Sequence, residues 1–402
     1  MLKVAIIGGG PAGVMAAITA MQNSKKLEVV VFEKGEILKS LLHTGGGRCN
    51  LSYAEYDFRK LVKFFPRGEK FLLSIFSKFG VFDVEKFFLN LGVKTYIQED
   101  KRIFPVSNRA TEVKDKLLEK AEDLGVKFRN VEIKEVKKVG DNFFVNGNEF
   151  DKLVIATGGN RLKSKFSGYD FAESLGHSIT KLIPVLCGLE IKESWCKKLS
   201  GLTLKNIKAK VLFEDKLVKN LEDDLLFTHQ GISGPLSYKA SSYSAYCDFN
   251  RENPLVLEIN FVNNLYEIFD KELAQIINLN QKKNLITILL ELLPRSLIEI
   301  LMKEINLASD IKAGALIKNQ RQQLSKLLTQ NKVHVIAKSS GGEIVTAGGV
   351  DLKEVDARTM ESKLIKNLYF CGEILDIDGL TGGFNLQACW SGGQVVGKNL
   401  LN

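Results

Sequence analysis

A glycine-rich turn near the amino terminus is the part of the sequence whose residues point most clearly to a chemistry. Gly8, Gly10 and Gly13 stand in the spacing G-x-G-x-x-G. In a dinucleotide site the first glycine permits a sharp turn out of a strand, the second lets the backbone approach a pyrophosphate, and the third lets helix and strand pack closely. The helix that follows presents free N–H groups and the positive end of its dipole, which favour an anion. This turn therefore predicts a binding site for a diphosphate.

An acidic residue follows at the distance that a dinucleotide site requires. A helical stretch over residues 14–21 and an apolar strand over residues 27–32 lead to Glu33, twenty positions after Gly13. A carboxylate there accepts hydrogen bonds from the adenosine ribose and disfavours a 2′-phosphate. A lone G-x-G-x-x-G is a weak signal, but here strand, helix, second strand and acidic residue all occur in order. The first part of the chain therefore predicts a βαβ unit that binds a dinucleotide.

Later glycine clusters favour FAD over NAD as that dinucleotide. Residues 43–50 (His-Thr-Gly-Gly-Gly-Arg-Cys-Asn) follow the second strand, and residues 156–159 (Ala-Thr-Gly-Gly) end another apolar strand. Near the carboxyl terminus a strand ends in residues 371–373 (Cys-Gly-Glu), and a glycine turn over 378–383 leads to a final helix that we expect to begin at residues 386–387. The N–H groups of such a helix suit the N1/C2=O edge of a flavin, where charge accumulates on reduction.

The elements that position these motifs are read from the periodicity of apolar residues. Residues 51–130 have mostly helical spacing. A strand, a hairpin and a second buried strand are indicated next, at residues 127–131, 133–150 and 153–157. Both ends of the chain therefore contribute to one nucleotide-binding domain.

The middle of the chain has a different pattern. Alternating apolar residues predict strands at 207–213 and 255–261, and residues 266–328 have helical spacing that is broken once, at Pro294. We interpret this region as an inserted substrate or cap domain. The predicted boundaries are residues 1–188 and 341–402 for the two parts of the FAD-binding domain and residues 189–340 for the insert, with a helical subdomain at about 265–330.

Composition and charge exclude several classes of protein. Of the 402 residues, 45% are hydrophobic and 26% are charged, which is typical of a folded globular protein and not of a disordered or fibrous one. No run of 18 apolar residues and no signal peptide is evident, so we expect a cytoplasmic protein without membrane contact. The net charge of +9 could favour nucleic acid, but the lysines are spread along the chain and we interpret them as a solvated surface. The six cysteines form no C-x-x-C or zinc spacing, so we expect free thiols and no metal: Cys49, Cys187, Cys196, Cys247, Cys371 and Cys389.

Several motifs together resemble a known family. They are the glycine turn with Glu33, Thr44–Asn50, Arg102–Pro105 (Arg-Ile-Phe-Pro), Phe227–Pro235 (Phe-Thr-His-Gln-Gly-Ile-Ser-Gly-Pro), Thr346–Val350 (Thr-Ala-Gly-Gly-Val) and Gly372–Gly393. The sequence is similar, over essentially its whole length, to the BaiN/YhiN-like flavoproteins, which include aminoacetone oxidase-like and bile-acid-reductase-like NAD(P)/FAD-dependent oxidoreductases. The resemblance implies an α/β fold: a Rossmann-like FAD-binding domain of the glutathione-reductase type, with three-layer ββα architecture, and an inserted β-plus-helical domain.

The resemblance also implies which residues hold FAD. It places the pyrophosphate at Gly8, Gly10, Pro11, Ala12 and Gly13, flanked by Ala156, Thr157 and Gly158; the adenosine at Glu33, Lys34 and Val131; the ribityl chain or flavin at Gly46, Arg48, Cys49 and Asn50; the ribitol and phosphates at Gly372 and Glu373; and the pyrimidine edge of the flavin at Gly383, Asn385 and Leu386.

Candidate acid–base residues are few. His229 lies in the Thr-His-Gln-Gly turn and could act as an acid or base, or brace the turn by hydrogen bonds; His43 borders the flavin loop and is a similar candidate. Arg48 could balance a reduced flavin or a substrate anion, or fix the loop through a salt bridge. Cys49 has no partner cysteine nearby, which favours a structural or flavin-shell thiol over a redox-active one.

These observations lead us to expect an FAD-dependent oxidoreductase that transfers hydride between flavin N5 and a small organic substrate. The leading expectation is reduction of an activated C=C bond of a bile-acid or steroid kind, with NAD(P)H docking transiently because no second G-x-G-x-x-G is present. The alternative is oxidation of a small amine such as aminoacetone. A flavoprotein acting on RNA and a redox sensor based on Cys49 are less favoured, and either a monomer or a homodimer is compatible with the sequence.

Overall fold

In the computed structural model, which describes residues 1–159, 166–339 and 345–401, the first apolar run forms the central strand of a parallel sheet. The chain divides into two compact units: unit 1 comprises Met1–Pro184 and Val345–Asn402, and unit 2 comprises Val185–Ile344. The first division lies close to the predicted boundary at 188/189. The second predicted boundary, at 340/341, lies outside the described residues.

The strands follow one another along the chain in both units. They are β1 (Leu2–Ile7), β2 (Leu27–Glu33), β3 (Ser52–Tyr53), β4 (Thr95–Ile97), β5 (Arg102–Pro105), β6 (Lys127–Asn130), β7 (Val136–Val139), β8 (Asn142–Val145), β9 (Asn148–Phe150), β10 (Lys152–Ile155), β11 (Ile183–Val185), β12 (Leu189–Ile191), β13 (Thr203–Phe213), β14 (Lys216–Phe227), β15 (Gly231–Ser233), β16 (Leu255–Asn260), β17 (Asn331–Lys338), β18 (Val345–Ala347) and β19 (Leu368–Phe370).

The long helical pattern over residues 266–328 is divided among several helices, whereas α1 is longer than its pattern. They are α1 (Pro11–Asn23), α2 (Phe58–Leu61), α3 (Glu69–Phe76), α4 (Val81–Asn90), α5 (Ala110–Asp123), α6 (Gly168–Ser174), α7 (Ser194–Lys197), α8 (Gly234–Tyr243), α9 (Tyr266–Leu279), α10 (Leu285–Leu289), α11 (Arg295–Glu304), α12 (Lys318–Thr329) and α13 (Phe384–Asn399), with 3-10 turns at Lys39–Gly46, Val62–Phe64, Ala313–Ala315 and Leu352–Glu354. Within the described ranges, no helix is long and apolar enough to cross a membrane.

The core of unit 1 is a five-stranded sheet in the order β19–β10–β1–β2–β6. Every neighbouring pair of these strands is parallel. Val4, Ala5 and Ile6 of the central strand are completely buried, which is typical of a parallel sheet covered on both faces. Because the strands are parallel, all their carboxyl ends meet at one edge, the edge where ligands bind in open α/β sheets.

Helices α1 and α13 pack closely because α13 carries glycines at the contact. A methyl group at Gly393 would lie 2.5 Å from the carbonyl oxygen of Ala12, and one at Gly397 would lie 2.5 Å from the Cβ atom of Thr19. These distances are far below van der Waals contact, so only glycine permits this approach. The last helix of the chain is thereby held against the helix that follows the glycine-rich turn.

Unit 1 also contains two three-stranded antiparallel sheets, in the orders β7–β8–β9 and β3–β5–β4, and strand β18 pairs with β11. The region expected to be a single hairpin contains three strands, because Asn146 and Gly147 both have positive φ and form a second tight turn. The strands β3–β5 interrupt a region expected to be mostly helical. They have two to four residues each, too few to show a period of two.

Unit 2 contains a closed barrel and a helical part. The barrel order is β12–β15–β14–β13–β16–β17, and the apolar side chains alternate inward, as at Leu255, Leu257 and Ile259. The expectation that the helical region is broken only at Pro294 was wrong. Polar turns after Leu279 and after Glu304 end two further helices, and Pro294 precedes α11 instead of kinking a longer helix.

Candidate functional site

The carboxyl edge of the parallel sheet brings together most of the residues predicted to hold a dinucleotide. The N–H of Gly9 donates to Glu33 Oε2 at 2.9 Å, and the N–H of Val131 donates to the Glu33 carbonyl oxygen at 3.0 Å. Ala156 and Cys371 each donate a backbone N–H to the end of the neighbouring strand, at 2.8 and 3.3 Å. One edge of the sheet therefore holds five of the predicted segments in succession: the glycine turn, Glu33–Lys34, Val131, Ala156–Gly158 and Gly372–Glu373.

Gly8 and Gly13 are glycines because the turn folds back on itself. Gly8 has φ +111°, and a methyl group there would lie 2.3 Å from the carbonyl oxygen of Ala156. A methyl group at Gly13 would lie 2.1 Å from the Gly8 carbonyl oxygen. Both positions therefore serve the fold of the turn itself.

Gly10 differs from its two neighbours in the motif. Its φ is −78°, which any residue adopts, and a methyl group there would meet no atom within 4 Å. No packing within the protein therefore requires glycine at this position. Gly10 also precedes α1, in which Pro11 has no N–H and the N–H groups of Ala12 and Gly13 have no intrahelical acceptor. Open space at the positive end of a helix is the geometry that a bound phosphate needs.

Glu33 is held in place by backbone donors. Its Oε2 accepts the Gly9 N–H at 2.9 Å, and its Oε1 accepts the Gly35 N–H at 2.9 Å. Each oxygen keeps a lone pair, so the carboxylate can still accept a ribose hydroxyl. The adjacent Lys34 reaches Glu132 at 3.8 Å, at the surface beside Val131.

Thr157 and Gly158 continue the edge beyond β10. The hydroxyl oxygen of Thr157 is buried and has no hydrogen-bond partner among the described residues. Gly158 has φ +74° and open space around the position of a side chain. A buried hydroxyl without a partner is costly, so it indicates that a polar group belongs beside Thr157.

Gly372 and Glu373 lie where β19 ends. A methyl group at Gly372, whose φ is +81°, would lie 2.9 Å from the Cβ atom of Ala12, so this glycine is next to the phosphate turn. Glu373 Oε1 accepts the N–H of Thr346 at 2.7 Å, and its backbone carbonyl oxygen accepts the Tyr169 hydroxyl at 3.3 Å. The Glu373 side chain therefore ties β18 to this edge.

A second group of predicted residues meets at Gly383. A methyl group at Gly383, whose φ is +97°, would lie 2.5 Å from the Ser52 carbonyl oxygen and 2.8 Å from Asn50 Oδ1. That Asn50 oxygen is buried and, in the described part of the chain, has no hydrogen-bond partner. Asn50 therefore presents an acceptor beside the first turn of α13, the turn in which Leu386 is buried.

Sequence reasoning missed the side chains that fix this second group. Trp390 donates its indole N–H to the Leu51 carbonyl oxygen at 3.0 Å. Gln387, fully buried, accepts the Ser52 hydroxyl at 2.5 Å and donates to the Ser391 hydroxyl at 2.9 Å. The Leu51 and Ser52 partners are more than three hundred positions away in the chain, so no local pattern signals them.

The loop before α13 is also fixed by buried polar contacts. Asp378, with no exposed surface, forms an ion pair with Arg67. The side chain of Asn385 accepts the Gly379 N–H at 2.8 Å and donates to the Gly379 carbonyl oxygen at 2.9 Å. The Asn385 amide therefore braces the loop, which leaves the backbone N–H groups of the helix N-terminus to face a ligand.

The loop after β2 holds Arg48 against Phe104. The Arg48 guanidinium donates from Nε to the Gly45 carbonyl oxygen at 3.0 Å and lies 4.1 Å from the centroid of the Phe104 ring. A salt bridge that fixes the loop was one of two alternatives for Arg48; among the described residues Arg48 forms no ion pair, and this stacking fixes the loop instead. Gly46 and His43 lie on the same loop, and both are exposed.

Cys49 is buried beneath that loop. Its side chain has no exposed surface, and burial raises the pKa of its thiol to about 12. A thiol of that kind is neutral and unreactive near neutral pH. The burial supports the structural interpretation of Cys49 and disfavours a redox sensor.

The histidines have different surroundings. His229 is exposed at the turn between β14 and β15, and the turn is braced by Thr228, which accepts the Gly231 N–H. In the residues that the structure describes, His229 itself makes no hydrogen bond. His177 is buried against Ser362, with 2.8 Å between Nε2 and Oγ, and His334 Nδ1 lies 2.5 Å from Glu193, so both serve the fold.

Taken together, unit 1 fits a dinucleotide with a polar group at its far end. Gly10 leaves space at a helix N-terminus for a diphosphate, and Glu33 presents a carboxylate toward a ribose. The buried oxygens of Thr157 and Asn50 lack partners in the described residues. FAD supplies a diphosphate, hydroxyls on its ribityl chain and a polar pyrimidine edge, which are the groups that these positions can bind.

Comparisons with known proteins agree with this geometry. Residues 2–399 match the family described as the HI0933-like protein Rossmann domain. A 3-dehydro-bile acid delta(4,6)-reductase of Clostridium scindens is 28% identical over 413 residues, which cover 99% of this chain and 98% of that protein. A ribosomal RNA dihydrouridine synthase of Escherichia coli is 28% identical over 412 residues, which cover 98% of this chain and 97% of that protein.

A solved structure shares the fold. The 3-ketosteroid delta1-dehydrogenase of Sterolibacterium denitrificans superposes with a TM-score of 0.50 at 12% identity and covers 100% of this chain and 99% of that chain. The predicted fold class, a Rossmann-type FAD-binding domain in an α/β protein, is thereby confirmed. The predicted resemblance to the bile-acid-reductase-like family is confirmed as well.

Proposed function

The chain belongs to the HI0933-like protein Rossmann domain family, and on that premise we propose that this FAD-dependent oxidoreductase reduces a C=C bond conjugated to a carbonyl group. Both of the relatives described above match nearly the whole chain. The name of one describes a reductase of delta(4,6) double bonds beside a 3-oxo group. The name of the other describes conversion of uridine to dihydrouridine, which saturates a C=C bond conjugated to a carbonyl. The shared chemistry of these two names is the observation that carries the proposal.

Bound FAD would supply a hydride for the electron-poor carbon of such a bond. The protein's part is to bind and orient it. Gly10 and the first turn of α1 would hold the diphosphate, and Glu33 would hold the ribose. Asn50 and the N-terminus of α13 would hold the pyrimidine edge, where the helix dipole stabilises negative charge.

NAD(P)H is the proposed source of electrons. The sequence has one G-x-G-x-x-G, at Gly8–Gly13, and that turn is assigned to FAD. A nicotinamide would therefore dock transiently and leave before the substrate binds. The proton that completes the reduction needs a donor, and His43, on the loop of unit 1 that also carries Arg48, is the proposed candidate among the imidazoles.

A steroid-like ketone with a conjugated double bond is the first proposed substrate class, because the bile-acid relative acts on such a ring system. Uridine in ribosomal RNA is the second. Two observations favour it: the name of the Escherichia coli relative and the net charge of +9.

The test begins with anaerobic mixing of the FAD-loaded protein with NADH and then NADPH, while the flavin absorbance is followed. We expect bleaching with one of them, and anaerobic recovery of the absorbance when a conjugated steroid ketone or a uridine-containing RNA is added. The product should gain two hydrogen atoms by mass spectrometry. Failure to take up FAD, or bleaching by small amines with peroxide formed in air, would contradict the proposal.

A further inference from the structure

The helical part of unit 2 contains two segments without carboxylates. No acidic residue occurs between Asp310 and Glu343, and none occurs between Glu272 and Glu291. Over the same segments the basic residues are Lys282, Lys283, Lys312, Lys318, Arg321, Lys326, Lys332 and Lys338. The segment between Glu193 and Glu214 also lacks acidic residues, but its Lys205 and Lys210 form ion pairs with Asp224 and Glu258 of neighbouring strands.

The fold joins the two segments. The N–H of Leu285 donates to the Ile311 carbonyl oxygen at 2.9 Å, and the N–H of Ala313 donates to the Lys283 carbonyl oxygen at 2.9 Å. Lys312 Nζ donates to Asn284 Oδ1 at 2.7 Å. The exposed residues Lys282, Lys283 and Lys312 are therefore carried by two paired segments of the chain, the second of which leads into α12.

Helix α12 begins six residues after Lys312 and carries further basic residues. The exposed positions of the helix are lysines and amides: Lys318, Asn319, Gln323 and Lys326. Gln322 is half-buried, and Thr329 on the same side is buried. The opposite side is buried through Leu324 and Leu328. We call the exposed side of α12, together with Lys282, Lys283 and Lys312, the lysine–amide surface.

The nearest carboxylate on the packed side of α12 is already occupied. Asp270 of α9 accepts from Arg321 Nη2 at 2.9 Å and from the Ser325 hydroxyl at 2.9 Å. Among the described residues, Lys318 and Lys326 form no ion pair. Lys318 also lies within electrostatic reach of Asp270, whereas Lys326, Lys282, Lys283 and Lys312 have no paired carboxylate among the described residues of unit 2.

Helix α5 of unit 1 shows the ordinary arrangement for comparison. Its lysines stand among acidic residues, and Lys116 pairs with Glu119 at 2.6 Å. Such pairs are the usual way in which a solvated helix carries lysine. On α12 the described lysines have no such pairs, which points to a partner that supplies the negative charge.

We propose that the lysine–amide surface binds the sugar–phosphate backbone of RNA. Lysine ammonium groups neutralise phosphates, and asparagine and glutamine amides hydrogen-bond to phosphate and sugar oxygens. This inference rests on the proposed function and favours its RNA substrate class over the steroid class.

An anionic membrane fits the surface less well. Leu279 is 84% exposed and Ile317 is 61% exposed, and both adjoin the surface in sequence. A helix that lies in a membrane interface needs a free apolar face opposite its basic one. The apolar face of α12 is buried in unit 2, so the helix has no such face to insert.

The experiment compares two double variants of the FAD-loaded protein. Lys318→Gln with Lys326→Gln removes two charges from the lysine–amide surface, and Lys116→Gln with Lys120→Gln removes two from α5 as the matched control. Lysine and glutamine have similar helix propensities, so both variants should fold. The probes are a fluorescent single-stranded RNA of mixed sequence containing uridine, titrated over a range of salt, and vesicles of phosphatidylglycerol and phosphatidylcholine.

We expect the α12 variant to bind this RNA about tenfold more weakly at low salt. Its slope of log affinity against log salt should be shallower by about 1.4, because each phosphate that a lysine no longer neutralises lowers the slope by about 0.7. The α5 variant should bind as the unchanged protein does, and Lys318→Arg with Lys326→Arg should retain binding. Three results would overturn the proposal. They are an equal loss of RNA affinity in the two glutamine variants, no RNA binding by the unchanged protein, and binding to the vesicles in preference to RNA.

The reductase activity is measured separately. Flavin bleaching by NAD(P)H and turnover of a free conjugated ketone should be the same in the α12 variant, because Lys318 and Lys326 are not part of the FAD site. A protein that binds RNA through this surface but reduces no C=C bond would overturn the proposed function alone. A reductase that binds no RNA would overturn this inference alone.

Discussion

Trp390 of α13 donates its indole N–H to the carbonyl oxygen of Leu51, 339 positions earlier in the chain, at 3.0 Å. The contact holds the last helix of unit 1 against the loop that carries Asn50. Gln387 strengthens the same connection through Ser52. The acceptor of Asn50 and the N-terminus of α13 are therefore held as a single assembly before any ligand binds.

Trp390→Phe tests this assembly. We expect loss of about 1–2 kcal/mol in the free energy of unfolding beyond the effect of volume, because the Leu51 carbonyl oxygen loses a buried hydrogen bond. FAD should bind more weakly as well. Trp195→Phe in unit 2 is the control: Trp195 is also buried, but its indole donates no hydrogen bond in the described structure. Equal effects of the two substitutions on FAD binding would contradict the prediction.

Gly10 and Gly13 should respond in opposite ways to alanine. Gly10→Ala adds a methyl group in open space, so the unfolding of the FAD-free protein in urea should change by less than about 1 kcal/mol. FAD affinity should fall at least tenfold, because the methyl occupies the place of the diphosphate.

Gly13→Ala puts a methyl group 2.1 Å from the Gly8 carbonyl oxygen and should destabilise the FAD-free protein by about 1–3 kcal/mol or more. Unfolding in urea and titration with FAD measure both quantities. Wild-type FAD affinity in Gly10→Ala would show that the diphosphate does not lie there.

Cys49 should be inert in the folded protein. With a pKa of about 12, on the order of one thiol in ten thousand is ionised at pH 8, and the side chain is also buried. Iodoacetamide should therefore label Cys49 only after unfolding, whereas the partly exposed Cys247 serves as the internal reference in peptide mass spectrometry. Rapid labelling of Cys49, or a changed flavin potential in Cys49→Ser, would restore the redox-sensor hypothesis.

Asp270 should make the stability of unit 2 depend on pH. Its hydrogen bond to Arg321 lowers the pKa of the carboxyl group. A lowered folded-state pKa adds stability above the unfolded-state pKa of about 3.9, and that contribution is lost as the pH falls through the folded-state value.

Asp270→Asn should therefore cost about 1–3 kcal/mol near neutral pH, and the difference from the unchanged protein should shrink below about pH 4. Urea unfolding at both pH values measures it. Asp310→Asn, at an exposed carboxylate without an ion pair in the described structure, is the control. A cost for Asp270→Asn that does not depend on pH would exclude the ion pair as its cause.

The sequence predicts the part of the site that is local in the chain. Gly8, Gly13 and Glu33 lie within one βαβ unit, and each has a steric or hydrogen-bonding reason that a short motif expresses. Strands β1, β2 and β10 each contain a continuous apolar run, and such a run predicts a buried strand.

The contacts that fix the far end of the site could not be predicted in this way. Arg67 pairs with Asp378, and Gln387 with Ser52, across more than three hundred positions, and a single sequence has no signal for such pairs. The start of α13 was expected two or three residues late, because Gly383 supplies the positive φ from which the helix begins at Phe384. The sequence left open whether Arg48 meets an anion of the ligand or forms a salt bridge, and it did not indicate the stacking of Arg48 on Phe104.

The order of strands in the parallel sheet has a consequence for synthesis on the ribosome. Strand β19 and helix α13 come from the last part of the chain, and the whole of unit 2 is made between β10 and β19. Unit 2 is continuous in the chain and can acquire its barrel while the ribosome is still adding residues. Unit 1 must instead wait, with the open edge of β10 exposed, until β19 emerges. During that interval the nascent chain has an unpaired strand edge, which makes it a candidate client for a chaperone.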